Sequence, residues 1–341
     1  MYSDNGIVPD LKKVIIPRCF PSERMSVMFG FTLVLPLMLI IAAGNILKSR
    51  GFYNKSDIDT LTKTLYWIIL PPLLFRTTFI SGKEVLTQPN LLLAVNVCYV
   101  ITIILAWIGS DLFFHRGNSK RKAVSVLSSI RANNIYLGFP VVQLAMGEAG
   151  LHEASVYIAV STIPFQLLSL ISAEIALSKK LSAASLIGVL KKLAVNPLVL
   201  SCGGGILLAL SGLKELPLVF DESMKLMGEA ATAIALLALG GTLDVPDIHR
   251  VLLALRTTWS DCAVKLIIHP LLMWGMLIIF PVPRPLLQAT VMLSSMPAAV
   301  NCFILAKEID MDGNYAADLV ASTTMLGIVS IPVWAFLLGL V

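Results

Sequence analysis

Charge is scarce in this sequence. Only 14% of its 341 residues are Asp, Glu, Lys or Arg, against 57% hydrophobic, and the mean hydropathy is +0.84. That balance excludes a soluble globular domain of this length and leaves a polytopic membrane protein, with the lipid bilayer as its first partner. No basic, aromatic-studded patch is present either. The net charge of +5 is spread over many short loops, which suits anchoring at an anionic leaflet and offers no surface for nucleic acid. Cys19, Cys98, Cys202, Cys262 and Cys302 are far apart, and four of them lie in apolar runs. They indicate neither a disulfide framework nor a CxxC metal site and read as small core residues. HExxH and GxSxG are both missing, so an enzyme, and with it any cofactor, finds no support. No polar stretch is long enough to be a soluble domain.

What is present is a series of apolar runs. A crossing needs about 20 such residues, and ten candidates result: 25–47, 58–80, 90–114, 122–147, 153–177, 185–211, 218–242, 251–280, 285–308 and 314–340. The polar tail 1–24 precedes a run too long for a signal peptide and without a small-residue cleavage site, so an uncleaved first span is expected.

P-L-x-L-x4-G occurs from Pro36 to Gly44 and again from Pro197 to Gly205, and LSSIRANN from Leu127 is echoed by LSSMPAAVN from Leu293. The two offsets nearly agree, at a little under half the chain. They divide it into a first five-helix repeat, 25–177, a connecting loop, 178–184, and a second repeat, 185–341. An odd number of spans per repeat forces the second to enter from the opposite face, which makes the expected fold all-α, with ten transmembrane helices in two inverted five-helix repeats.

Loop charges set the expected orientation. Eleven lysines and arginines, among them Lys48, Arg116, Lys120, Arg121, Lys122 and Lys307, fall on one side, against Lys83, Lys214 and Arg284 on the other. Both termini are therefore expected outside a cell membrane, plasma or bacterial inner, although Lys12, Lys13, Arg18 and Arg24 of the tail oppose this.

The two serine phrases fall in spans four and nine, and each span contains a proline, Pro140 and Pro297. Proline removes a backbone donor and clashes with the preceding turn, so both helices are expected to break. Broken backbone survives at membrane depth only inside protein or beside a wet cavity. Ser128, Ser129, Asn133 and Asn134 in one phrase, and Ser294, Ser295 and Asn301 in the other, can satisfy freed groups or meet a ligand. Two half-helix N-termini aimed at one region would favour a small anion. A single proline with an asparagine reads as an ordinary structural kink; its occurrence at matching places in both repeats favours a site.

LPLMLIIAAGNILKSRG, LTKTLYWIILPPLLF, NNIYLGFPVVQLAMGEAG, NPLVL, ALLALGGTL, KLIIHPLL and MPAAVNCFILA, in this order along nearly the whole chain after residue 25, resemble the auxin efflux carrier (AEC) family of membrane transporters. The resemblance implies that helices one, two, six and seven form a scaffold that commonly forms a homodimer, while the others form a moving domain in which broken helices four and nine cross beside the substrate. Carried over by motif, the crossing residues are Asn133, Gly138, Pro140, Pro297 and Asn301; Asn134 and Ser295 join them by proximity. Family members carry chemically different acids, so the resemblance names no substrate.

Charges inside spans each need a reason. Asp261 and Lys265 lie four apart on span eight and read as a self-neutralising helix pair; alternatively Lys265 attracts the anion or Asp261 shuttles a proton. His269, one turn on, is a candidate titrating group or a structural histidine before Pro270. Arg131, inside the first serine phrase, either faces the anion or snorkels to the headgroups. Arg76 reads as an interfacial anchor, and Gln166 on span five as a cavity residue. The function expected is a carrier that moves a small organic anion, a carboxylate, by alternating access at the crossover, outward from the cytoplasm by family analogy. An anion channel and a substrate-sensing receptor on the same fold stay open.

Overall fold

The computed structural model describes residues 23–178, 187, 191, 194–213, 215–242 and 248–340. Most of the N-terminal tail (1–22, with Cys19), most of the connecting loop (179–184) and Lys214 lie outside them. Every element among the described residues is helical: α1 (Glu23–Ser49), α2 (Lys55–Thr64), α3 (Leu70–Thr87), α4 (Pro89–Gly109), α5 (Ser119–Ile130), α6 (Phe139–Ser178), α7 (Pro197–Leu210), α8 (Leu218–Thr242), α9 (Ile248–Ala263), α10 (His269–Ile279), α11 (Arg284–Ser294), α12 (Asn301–Glu308) and α13 (Gly313–Leu337). Among the described residues four stretches are long and apolar enough to cross a bilayer: Pro89–Phe114, Leu218–Gly241, Leu253–Ile279 and Gly313–Leu337. A fifth is Asn134–Thr162 with Pro164–Leu177, if that pair, bent by 41°, is one span. This is fewer than the ten expected from sequence; in the range of expected span nine, for example, α11 and α12 are each too short to cross singly. The surfaces are apolar outside as well as inside. On α4, Val97, Val100, Ile104 and Ile108 are exposed while Leu91, Ala94, Val95 and Cys98 are fully buried, the pattern of a helix between protein and lipid.

Prolines accompany three of the four irregular turns among the described residues; the fourth, Ser110–Phe114, has none near it. A proline cannot donate to the carbonyl four residues back, and its ring crowds it. Wider π turns occupy Leu65–Ile69, Asn134–Gly138 and Val264–Ile268, and a proline (Pro71, Pro140, Pro270) follows two residues after each. The Leu266 carbonyl, four residues before Pro270, is bonded instead by the Trp334 indole N–H at 2.8 Å. Gly147, at φ +65°, takes α6 out of helical geometry where the sequence places the end of span four.

Packing divides the helices into two groups. α1 lies on α8 and α3 on α7, with α3 also touching α8; in the other group α4 packs on α10, α5 and α11 on α6, and α9 and α12 on α13, and the two groups meet where α1 packs on α13 and α3 on α6. Close approach in the first group depends on glycine. A Cβ on Gly240 would collide with the Ile41 carbonyl and one on Gly44 with that of Leu237, while Gly205 stands against Thr78 and Phe75. Arg76, expected as an anchor, instead makes a two-point ion pair with Asp221 of α8, at 2.7 and 3.0 Å. Gly240→Val is expected to cost about 1–3 kcal/mol by overpacking. The readout is a lower melting temperature in detergent, with Gly203→Ala, where an added methyl meets nothing, melting as wild type.

In the second group, the loop between α12 and α13 is tied to the start of α5 by Lys120–Asp310 (2.7 Å) and Arg121–Asp312 (3.0 Å). Partial burial pushes the Asp312 carboxyl up, but hydrogen bonds from the Tyr315 and Asn314 N–H groups and the Arg121 guanidinium outweigh it and hold it below the usual carboxylate range.

Candidate functional site

Two interruptions meet at the centre of the second group. α5 stops at Ile130 and the chain resumes in the π turn at Asn134; α11 stops at Ser294 and α12 begins at Asn301. The two connecting segments pair antiparallel through Ala132 and Ala298. The Asn133 N–H donates to the Pro297 carbonyl at 2.8 Å and the Ala299 N–H to the Arg131 carbonyl at 2.9 Å. These contacts satisfy backbone groups that an interrupted helix would leave bare in a place without water. Ser294 and Ser295 turn their hydroxyls back onto the Val291 and Met292 carbonyls at 2.8 and 2.7 Å, closing off the end of α11.

Beside the pairing lies a cavity of about 510 Å³, lined from both interruptions and from the ends of α2, α7 and α8. Of the residues expected at the site, Arg131, Asn133, Asn134 and Asn301 line it. Gly138, Pro140, Ser295 and Pro297 do not. Gly138 gives room to Leu293 and Met296, which a Cβ would strike, and Pro297 packs against Gly327. They shape the interruption and do not face the space. Gln166, expected as a cavity residue, lines it too. Tyr66 and Asn196 also line it, and were not singled out from sequence. The Asn196 amide donates to the Tyr66 hydroxyl at 3.0 Å, while its oxygen caps α7. Neither residue stands in a repeated or polar phrase, so only the fold brings them here.

Arg131 is 1% exposed. It does not snorkel. Its guanidinium donates to Gln166 Oε1 at 2.9 Å and Ser169 Oγ at 2.7 Å and lies over the Phe165 ring at 4.5 Å. Among the described residues its Nε has no hydrogen-bond partner, and neither do the Oδ1 atoms of Asn133, Asn134 and Asn301. Among the described residues Arg131 forms no ion pair. A buried cation without a carboxylate, beside three amides that present donors after a simple flip, is suited to an anion from outside the protein.

Asp261, Lys265 and His269 lie away from this cavity, and the first two do not pair with each other. The π turn starting at Val264 interrupts the regular four-residue spacing between them. Asp261 instead accepts from Ser125 (2.6 Å) and Tyr315 (2.8 Å), with His115 Nε2 at 3.4 Å, in a buried cluster that joins α5, α9 and α13. Lys265 Nζ donates to the Ser294 carbonyl at 2.9 Å. His269 is fully buried, bonded to Thr102 at 3.1 Å and stacked on Tyr99. Among the described residues no group of three His, Cys, Asp or Glu is placed to hold a metal ion.

With this geometry in hand, the chain can be set beside known proteins. Residues 29–335 match the sequence profile of a family described as membrane transport protein, the AEC family. The chain belongs to that family. It is 25% identical over 302 residues to a protein of Rhizobium meliloti provisionally named a malonate transporter, covering 88% of this chain and 92% of the relative. It is 24% identical over 306 residues to an uncharacterized transporter of Methanothermobacter thermautotrophicus, 89% of this chain and 97% of that one. An uncharacterized transporter of Methanocaldococcus jannaschii is 22% identical over 319 residues, 91% and 99% of the two chains. This AEC protein is a membrane transporter and not an enzyme.

Proposed function

We propose that this transporter is a carrier for a small organic anion, a carboxylate such as the malonate in one relative's name. The anion is held in the cavity beside the paired interruptions and exposed alternately to the two sides. The observation that carries the reading is Arg131, a buried cation with no carboxylate partner among the described residues and with Asn133, Asn134 and Asn301 around the same space. Half-helix N-termini entering the cavity add to the attraction.

The inverted arrangement of ten spans belongs to the same proposal, and the pairing supports it. The partners Ala132 and Ala298 are separated along the chain by the same interval as Leu127 and Leu293, which open the two serine phrases. Moving each residue by that interval turns Asn133 N–H to Pro297 O into Ala299 N–H to Arg131 O, which is the other hydrogen bond. Residues of one sequence that meet their own counterparts this way surround a pseudo-twofold axis, as inverted repeats require. The helix grouping supports a scaffold of α1, α3, α7 and α8 beside a moving body. A homodimer through that scaffold, and termini outside, complete the proposal.

Saturable counterflow of labelled malonate and other mono- and dicarboxylates in liposomes tests it, together with thermal shift on purified protein. Asn133→Ala and Asn301→Ala are each expected to weaken binding about tenfold, by removing a hydrogen bond of about 1.5 kcal/mol to a charged group. Unchanged affinity in both variants would place the site elsewhere. Flux that does not saturate would replace the carrier with a channel.

A further inference from the structure

Ser110, His115, Ser125, Asp261 and Tyr315 form a second polar cluster, apart from the cavity and buried throughout. Its hydroxyl protons run toward one carboxylate. Ser110 Oγ donates to Ser125 Oγ at 2.9 Å, and Ser125 Oγ to Asp261 Oδ1 at 2.6 Å. The Tyr315 hydroxyl has a single proton, and its nearer acceptor is Asp261 Oδ2 at 2.8 Å, with the Thr257 carbonyl at 3.4 Å. The tyrosine oxygen is therefore left to accept, and His115 Nε2 stands 3.1 Å from it. This assigns the ring proton to Nε2, which also faces Asp261 Oδ2 at 3.4 Å. His115 Nδ1 keeps its lone pair and has no partner among the described residues. The π turn Ser110–Phe114, formed without a proline, brings Ser110 and His115 here together, and the His115 N–H closes it on the Ser110 carbonyl at 2.9 Å.

Neighbouring charges are matched elsewhere. Arg121, over the Tyr315 ring at 5.2 Å, pairs with Asp312, and Lys122 with Asp111. Lys265 donates to the Ser294 carbonyl, the Cys262 thiol turns to Thr258, and Asp318 of α13 has an interaction of its own. Among the described residues only His115 comes within ion-pair distance of Asp261. With a neutral ring the cluster holds one buried negative charge; a proton added at Nδ1 makes the ring a cation and cancels it. Imidazole is the side chain suited to that change near neutrality. The exposed residues 116–118 follow His115 directly and give the proton a way in.

The cluster and the cavity share α5. Arg131 closes that helix six residues after Ser125, about 9 Å along its axis. At roughly 12 Å, and at the effective dielectric of a protein, one elementary charge changes the binding of an anion about tenfold. We infer that His115 and Asp261, bridged by Tyr315, form a proton-binding site, and that a proton held there strengthens binding of the anion in the cavity. By reciprocity the bound anion strengthens binding of the proton. The linkage rests on the carrier reading; the proton site does not.

Purified protein with carbon-13 in its four histidine rings is titrated by NMR without substrate. His115→Gln keeps a donor for Tyr315, takes no charge, and identifies the His115 signal by its loss. That signal is expected to report uptake of one proton between about pH 5 and 8. In Asp261→Asn, which lacks the charge that holds the imidazolium, the uptake is expected to move to lower pH. A signal fixed across the range, or unmoved in Asp261→Asn, would overturn the proton site. For the linkage, affinity for malonate, or whichever acid of the counterflow panel binds, is measured at about pH 6 and 8. Wild type is expected to bind about tenfold tighter at the lower pH and to take up protons on binding. His115→Gln is expected to do neither, and the comparison removes the ionisation of the acid itself. Equal pH dependence in the two proteins would overturn the linkage. Should His115→Gln fail to fold, Asp261→Asn decides alone, since the displaced titration and the loss of the low-pH gain are both expected in it. A titrating His115 with no carboxylate counterflow would sink the carrier reading and leave the proton site standing.

Discussion

Arg131→Ala is expected to lower carboxylate affinity between about 30-fold and a few thousandfold. Removing one partner of a buried, hydrogen-bonded charge contact costs about 2–5 kcal/mol, and about 1.4 kcal/mol is a factor of ten. The effect should exceed that of either asparagine, because those contribute a neutral amide and Arg131 a buried full charge, whereas Lys63, also in the lining, is exposed. Arg131→Lys keeps the charge but loses the flat fork that reaches Gln166 and Ser169 together and lies on Phe165. An intermediate loss is expected there. Counterflow and thermal shift against a carboxylate panel provide the measurement, and an undiminished affinity in Arg131→Ala would remove the central contact of the proposed site.

Asp261→Ala should produce the largest loss of stability, about 3–5 kcal/mol, because it strands the partners of a buried charge. Ser125, Tyr315 and His115 all converge on this carboxylate, and the Tyr315 hydroxyl and His115 ring also touch each other at 3.1 Å. Asp261→Asn retains one acceptor and is expected to cost less. Melting of the purified variants distinguishes them. If Asp261→Ala melts as wild type, the cluster does not hold α5, α9 and α13 together as described.

How much of this could be read beforehand depended on the kind of signal. The interruptions were legible because proline and asparagine in an apolar run conflict with a continuous helix, and because the conflict recurs at the matching place in the second half of the chain. The partner of Arg131 was half legible: Gln166 stood out as polar within span five, while Ser169 did not. The four-residue spacing of Asp261 and Lys265 misled, since a π turn redirects the helix between them and only Pro270, five positions after Lys265, hinted at it. Arg76 gave no sign of its partner, because Asp221 lies 145 residues away and long-range ion pairs leave no local pattern. Tyr66 and Asn196 reach the cavity from helices whose sequence reads as plain membrane span.

The antiparallel contact between Ala132 and Ala298 also bears on how the protein is made. A ribosome that has delivered the first half has provided one edge of the ladder and nothing to lay against it, so the exposed N–H and C=O groups near Arg131 must wait in the translocon or the lipid until most of the chain has emerged. Biogenesis therefore assembles the proposed anion site last, and a fragment cut before residue 290 should insert without ever acquiring it.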